Sequence, residues 1–202
     1  MTTRMGLFSS LKKDIPLPIR LFLGKALLFF IAWKVIYGVF LLDSNTIDNV
    51  LTNHVGTSSV YVLNNLTPMS GFIAKEEIYS EVLAGETEEH LSSAIYHNGY
   101  KVLDIAQACN GLELLVLYIG FIVCMPSNIK RKLLYIGIGV LLLDSVNILR
   151  CVGLIYLREY FHAYFEFAHH YIFKIMIYTA TFLIWVRFSR KIQLKNESLQ
   201  VG

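Results

Sequence analysis

The chain has 202 residues, 55% of them hydrophobic, with a mean hydropathy of +0.52 and a net charge of +3. That length suits one modest domain, and the apolar balance excludes an ordinary soluble globule. Cys109, Cys124 and Cys151 are too scattered for a disulfide framework and match no zinc spacing, and no nucleic-acid partner is expected.

With only four prolines, no low-complexity tract and no internal repeat, nothing divides the chain. In chain order, four stretches approach or exceed the ~20 apolar residues that a ~30 Å hydrocarbon layer needs. They fall at about 19–42, 108–125, 133–157 and 170–188. The first does not read as a cleavable signal peptide, because its apolar run is too long and no small-residue cleavage site follows. The second sits at the lower length limit, as fits a helix whose outer end meets protein rather than lipid.

Basic residues set the orientation. Arg4, Lys12, Lys13 and Arg20 precede or open the first stretch, Lys130, Arg131 and Lys132 separate the second from the third, and Arg187, Arg190, Lys191 and Lys195 close the fourth. The 43–107 loop holds only Lys75 and Lys101 against nine acids, and the 158–169 loop has Arg158 against Glu159 and Glu166. Positive charge thus alternates in, out, in, out, in. The expected fold is an all-α polytopic membrane protein with four transmembrane helices and both termini cytoplasmic.

The 43–107 loop is the one sizeable segment outside the bilayer. Ile47, Val50, Leu51, His54, Val55 and Ser58 recur at helical spacing, which predicts an amphipathic helix over 47–66. It can lie along the outer membrane surface or pack on its own bundle. Alternating stretches between 71 and 103 suggest a small β-hairpin with His97-Asn98-Gly99 as its turn, delivering the chain to Cys109.

Ionisable groups inside a membrane are costly and mark functional sites. Cys109 opens the second stretch, the third carries Asp144, Asn147 and Arg150, and the fourth begins beside His169 and His170. With the topology above, Arg150 lies roughly 10 Å below the outer end of its helix, at about the level of Cys109 and the histidines. A thiol, a guanidinium and an imidazole at one depth suit acyl transfer. A histidine takes the proton of a thiol, which attacks as thiolate, and a fixed guanidinium charge stabilises the oxyanion. A helix start at Cys109 would add outward N–H groups. Asn110 flanks the thiol; Asn147 can orient Arg150 or accept from the imidazole, and Glu113 can pair with Arg150. Arg150 equally suits the role of structural partner to Glu113 or Asp144. His162, His169 and His170 match no standard metal spacing, so no metal and no cofactor are expected. Gly137-x-Gly139 is a packing motif, and Lys34 faces either the bundle interior or a headgroup.

The segments Ala108-Cys109-Asn110-Gly111, Asn147-Ile148-Leu149-Arg150 and the pair His169-His170 occur in this order. Together they resemble the exosortase/archaeosortase family of membrane cysteine transpeptidases, particularly its exosortase F branch, over about residues 98 to 188. The resemblance implies that Cys109 forms a thioester, that His169 (with His170 as the alternative) is its base, and that Arg150 stabilises the intermediate. It implies membrane-anchored substrate proteins with a C-terminal sorting signal of short motif, hydrophobic helix and basic cluster. Cleavage would occur at the outer face of a bacterial cytoplasmic (inner) membrane. The family commonly carries up to eight spans, so a four-span chain implies a core fold working alone or with an accessory membrane protein. The reading from a different class is a non-catalytic membrane scaffold for surface-protein or polysaccharide export.

Overall fold

The computed structural model describes residues 17–38, 46–83 and 86–200. Arg4, Lys12 and Lys13, and the end of the first expected span, lie outside the described residues. Among the described residues six α-helices and one sheet follow in chain order: α1 (Leu17–Ile36), α2 (Thr46–Leu66), β1 (Phe72–Leu83), β2 (Glu86–His97), β3 (Tyr100–Ile105), α3 (Leu112–Cys124), α4 (Ile129–Tyr160), α5 (His162–Phe167) and α6 (Phe173–Gln200). The chain is mainly helical.

Among the described residues two helical stretches, Ile129–Tyr160 and His162–Arg190, are long and apolar enough to cross a membrane. At 32 residues α4 is roughly 48 Å long, well beyond the hydrocarbon layer. Leu28 of α1, Leu141 of α4 and Ile175 and Leu183 of α6 are exposed. An outward apolar belt of this kind suits lipid rather than water. The third apolar helix, α3, has 13 residues and is roughly 20 Å long.

Small residues set how closely the helices approach. A Cβ on Gly139 of α4 would meet the Tyr118 hydroxyl at 2.1 Å. Tyr118 of α3 is fully buried and donates to the Tyr135 carbonyl. Of the Gly137-x-Gly139 pair, then, only Gly139 serves the packing; Gly137 faces open space. A similar approach at Gly153, where a Cβ would meet the Phe173 ring at 2.7 Å, seats the start of α6 on α4.

The sheet exceeds the expected hairpin by one strand. It is an antiparallel meander in the order β1-β2-β3, with β1 pairing from Phe72↔His97 to Leu83↔Glu86. The expected turn forms: His97 pairs with Tyr100, and Asn98 and Gly99 have φ of 51° and 85°. Two positive φ values are what a two-residue hairpin with right-handed strand twist requires. β3 ends on buried Ile105, and the chain enters the turn bearing Cys109.

Of the two placements open to α2, the structure takes the bundle. Val55 and Leu63 join Phe72, Ile95 and Ile105 of the sheet and Cys151 and Ile155 of α4 in one core. The expected apolar stripe is rotated by about one residue. Ile47 and Val50 are exposed, whereas Asp48, Thr52, Val55, Ser59 and Leu63 are buried. Polar groups turn inward here because their partners are inside, and Gly56 lets Ser93 of β2 approach without a clash. His54 reaches Asp144 of α4 at 3.0 Å, so Asp144 is tied to α2 and not to Arg150.

Lys101 and Tyr96 hold the Glu77 carboxyl below the usual carboxylate range, through hydrogen bonds from the ammonium at 2.8 Å and from the phenol. A carboxyl lowered by folding contributes stability above its unfolded value near 4.5, and the contribution is lost as pH falls through the folded value. Acidification below that point is expected to speed amide exchange in β2 and β3, after correction for intrinsic rates. Glu77→Gln should remove that response; an identical response in the variant would exclude Glu77 as its source.

Candidate active site

Cys109 lies three residues before α3 rather than on it, in a 3₁₀ turn over Gln107–Cys109. Gly111 causes the offset. Its φ is 86°, the left-handed conformation that glycine adopts without penalty, and it breaks the helical phase between the turn and α3. A Cβ there would also press on the Asn147 amide nitrogen at 3.2 Å. The expected helix-start donors are therefore not arrayed under the thiol. One of them, the Leu112 amide, donates to Asn110 Oδ1 at 2.8 Å.

α4 supplies the opposite wall. Arg150 Nη2 lies 3.6 Å from Cys109 Sγ, and Arg150 Nη1 donates to Asn147 Oδ1 at 3.4 Å. Asn147, fully buried, donates from Nδ2 to the Cys109 carbonyl at 3.1 Å. Asn147 thus holds both the guanidinium and the backbone of the thiol-bearing turn. Its oxygen serves the arginine and not an imidazole. Arg150 Nε is buried and has no protein partner among the described residues, so the guanidinium keeps donor capacity beyond these two contacts.

Glu113 does not meet Arg150. It pairs with Lys34 of α1 at 3.7 Å. The one-turn relation between residues 109 and 113 requires continuous helix, and Gly111 interrupts it. Lys34 and Glu113 stand instead on the wall of a cavity of about 310 Å³ between α1, α3, α4 and α6, whose lining includes Asn110, Gly111, Asn147 and Arg150. A smaller apolar cavity of about 220 Å³ shares Trp33, Lys34, Glu113 and Leu117 with it and continues between α1 and α3.

The 158–169 segment, expected as a loop, is almost entirely helical. α4 and α5 are separated by Phe161 alone, and the chain then passes through a π turn over Ala168–Ile172 into α6. π turns of this kind recur at functional sites because they re-aim side chains. This one carries both histidines. His169 is half-buried, stacks on Phe165 at 5.8 Å and lies within electrostatic reach of Arg150. His170 is exposed and pairs with Glu166 at 3.2 Å. His162 is exposed at the start of α5.

A buried acid, Asp48, escapes sequence reasoning. Its Oδ1 accepts from Asn110 Nδ2 at 2.8 Å and its Oδ2 from the Tyr37 hydroxyl at 2.7 Å. Through Asn110 it ties α1 and α2 to the residue next to Cys109. Nothing in the sequence singles it out, because 62 residues separate the partners. Asp48→Ala would leave the half-buried Tyr37 hydroxyl without its acceptor and Asn110 Nδ2 with only its longer bonds of 3.4 Å to the residue-48 carbonyl and Thr52, and is expected to lower stability by about 1–3 kcal/mol. Thermal unfolding in detergent would measure this; an unchanged midpoint would show that the strut carries no load.

A family model described as transmembrane exosortase matches residues 19–186. The match begins in α1 and takes in the sheet, well upstream of the three motifs. No curated protein and no solved structure matches the chain.

Proposed function

The chain belongs to the transmembrane exosortase family, and on that premise we propose that it is a membrane cysteine transpeptidase cleaving the C-terminal sorting signals of secreted proteins. The contact between Arg150 Nη2 and Cys109 Sγ, 3.6 Å across two separate elements, carries the reading. A cationic donor beside a thiol faces the oxyanion that forms when the sulfur attacks a carbonyl.

In the proposed cycle His169 takes the thiol proton and Cys109 Sγ bonds to the scissile carbonyl carbon. Arg150 stabilises the tetrahedral oxyanion while Asn147 holds its guanidinium in place. The C–N bond breaks, His169 returns its proton to the leaving amine, and a thioester remains on Cys109. An acceptor amine or water, losing its proton to the now neutral His169, then attacks the thioester, and the Cys109 thiolate leaves and regains that proton. His169 is preferred to His170 as base because it is the half-buried member within reach of Arg150, whereas His170 is occupied by Glu166. The exosortase F assignment rests on the three short motifs.

The proposed setting is four spans with Cys109 toward the outer face of the cytoplasmic membrane. A substrate tail that stops in the bilayer with its basic end inside would present its scissile bond at that depth. Intact mass measurement of the purified protein, mixed with a synthetic sorting-signal peptide and quenched in acid, is expected to show an adduct that maps to Cys109. Cleavage without any adduct on Cys109, in wild type and at all times, would remove the thioester. For topology, a membrane-impermeant maleimide should label Cys109 in intact spheroplasts while buried Cys124 and Cys151 stay unlabelled. Labelling of Cys109 only after permeabilisation would reverse the orientation.

A further inference from the structure

We propose that Glu166, His169 and His170 form a binding site for a zinc-class divalent ion, and that its occupancy withdraws His169 from proton transfer. The first half stands on geometry alone; the second rests on the role given to His169 above.

The three side chains occupy positions i, i+3 and i+4, which share one helical face. One ligand atom from each lies within 4.8 Å of the other two. Glu166 Oε2 and His170 Nε2 are already 3.2 Å apart, and the two imidazole centroids are 5.1 Å apart. Adjacent residues of an α-helix diverge in direction, and the wider π turn under His169 and His170 reduces that divergence. A tetrahedral ion with bonds of about 2.0–2.2 Å needs ligand atoms roughly 3.3–3.6 Å apart. The Glu166–His170 pair, at 3.2 Å, is just short of that spacing, and side-chain rotation adjusts the other pairs from within 4.8 Å.

Rotation is available where it is needed. The side chains of Glu166 and His170 are 72% and 56% exposed, so they are free to turn and open to an incoming ion. His169, half-buried on Phe165, is the fixed member. His162, which the sequence groups with the other two histidines, is not part of the cluster. Arg150 and Lys174 lie within electrostatic reach of His169 and repel any cation. That repulsion acts alike on every divalent ion, so the donor set decides among them: two imidazoles and one carboxylate do not suit magnesium or calcium, which take several oxygen ligands. Zinc, which binds imidazole nitrogen directionally, suits that set.

Binding has a defined chemical consequence. A neutral imidazole has one nitrogen lone pair and one N–H. Once the lone pair is donated to zinc, no acceptor remains for the Cys109 proton. The ion and the thiol proton compete for one pair of electrons, so the block is reversible.

The test uses the purified full chain in detergent with a Cys109→Ala background, so that the thiol contributes nothing to binding. Zinc is titrated against a chromophoric chelator. One equivalent is expected to bind, with Glu166→Gln weakening it at least tenfold, Glu166→Gln with His170→Ala removing it, and His162→Ala leaving it unchanged. Zinc should also raise the thermal midpoint of the background protein and not that of the double variant. Stoichiometry and affinity untouched by the double variant would overturn the site. In the Cys109 protein, zinc should suppress cleavage of a sorting-signal peptide and a chelator should restore it. Glu166→Gln should cleave normally without zinc and resist zinc at the level that silences wild type. Zinc bound at these residues with cleavage undiminished would overturn the coupling. Absence of cleavage in every variant, with or without zinc, would overturn the catalytic reading and the coupling together, and the chelator titration would still decide the site.

Discussion

Cys109→Ala is expected to reduce processing of a sorting-signal substrate by on the order of 10⁴-fold or more, with membrane abundance unchanged. The two halves of that expectation have different physical origins. Removing the nucleophile removes the bond that forms in the first step, and neither Arg150 nor His169 can replace it. Removing one sulfur atom from a half-buried turn forfeits little packing, about 1 kcal/mol. The polypeptide should therefore fold and insert while full-length substrate accumulates with its tail attached, as a gel or intact mass would report. Cys109→Ser separates the two functional classes. It keeps the size of the side chain and an acceptor for Arg150 Nη2, so a packing scaffold would tolerate it. A hydroxyl is a far weaker nucleophile without a base matched to it, so a transpeptidase would not. Normal processing by either variant would end the assignment of Cys109.

Arg150→Lys is expected to lower kcat/KM by roughly 10²–10³-fold, the usual loss when a principal oxyanion donor is removed. The substitution keeps the positive charge, so charge alone is not what is tested. In the wild type one planar group reaches Asn147 Oδ1 through Nη1 and Cys109 Sγ through Nη2 at once. An ammonium is a point donor on a flexible stem and cannot hold that fork. The Asn147 oxygen would lose its partner, and with it the coupling between the guanidinium position and the Cys109 carbonyl. Unfolding in detergent should move little by comparison, which separates a mechanistic loss from a folding defect. Turnover of the lysine variant within a few-fold of wild type would take Arg150 out of the mechanism.

Hydropathy sufficed to locate the apolar helices, because a bilayer imposes its length preference on each segment independently. The same locality made the Asn98-Gly99 turn readable, since positive φ at two successive residues is a demand on those residues alone. The motifs around Cys109, Asn147 and Arg150 were legible as chemistry out of place in an apolar run, and the structure brings these three into mutual contact.

Elsewhere phase mattered, and phase is set by what packs on what. Glu113 turns to Lys34 because Gly111 breaks the helix between it and Cys109. The buried face of α2 is rotated from the apolar stripe because Asp48 finds Asn110 and Tyr37 inside, a pairing that no window around residue 48 contains. Likewise, the segment expected as a loop after α4 becomes helix with a π turn once Phe173 packs at Gly153. What the amino-acid sequence determined by itself was membrane character and the order of the helices, both consequences of local preference. Which polar group faces which, and so how the thiol is held, was decided only when segments distant in the chain closed around one another, because a buried donor must take whatever acceptor the fold puts within reach.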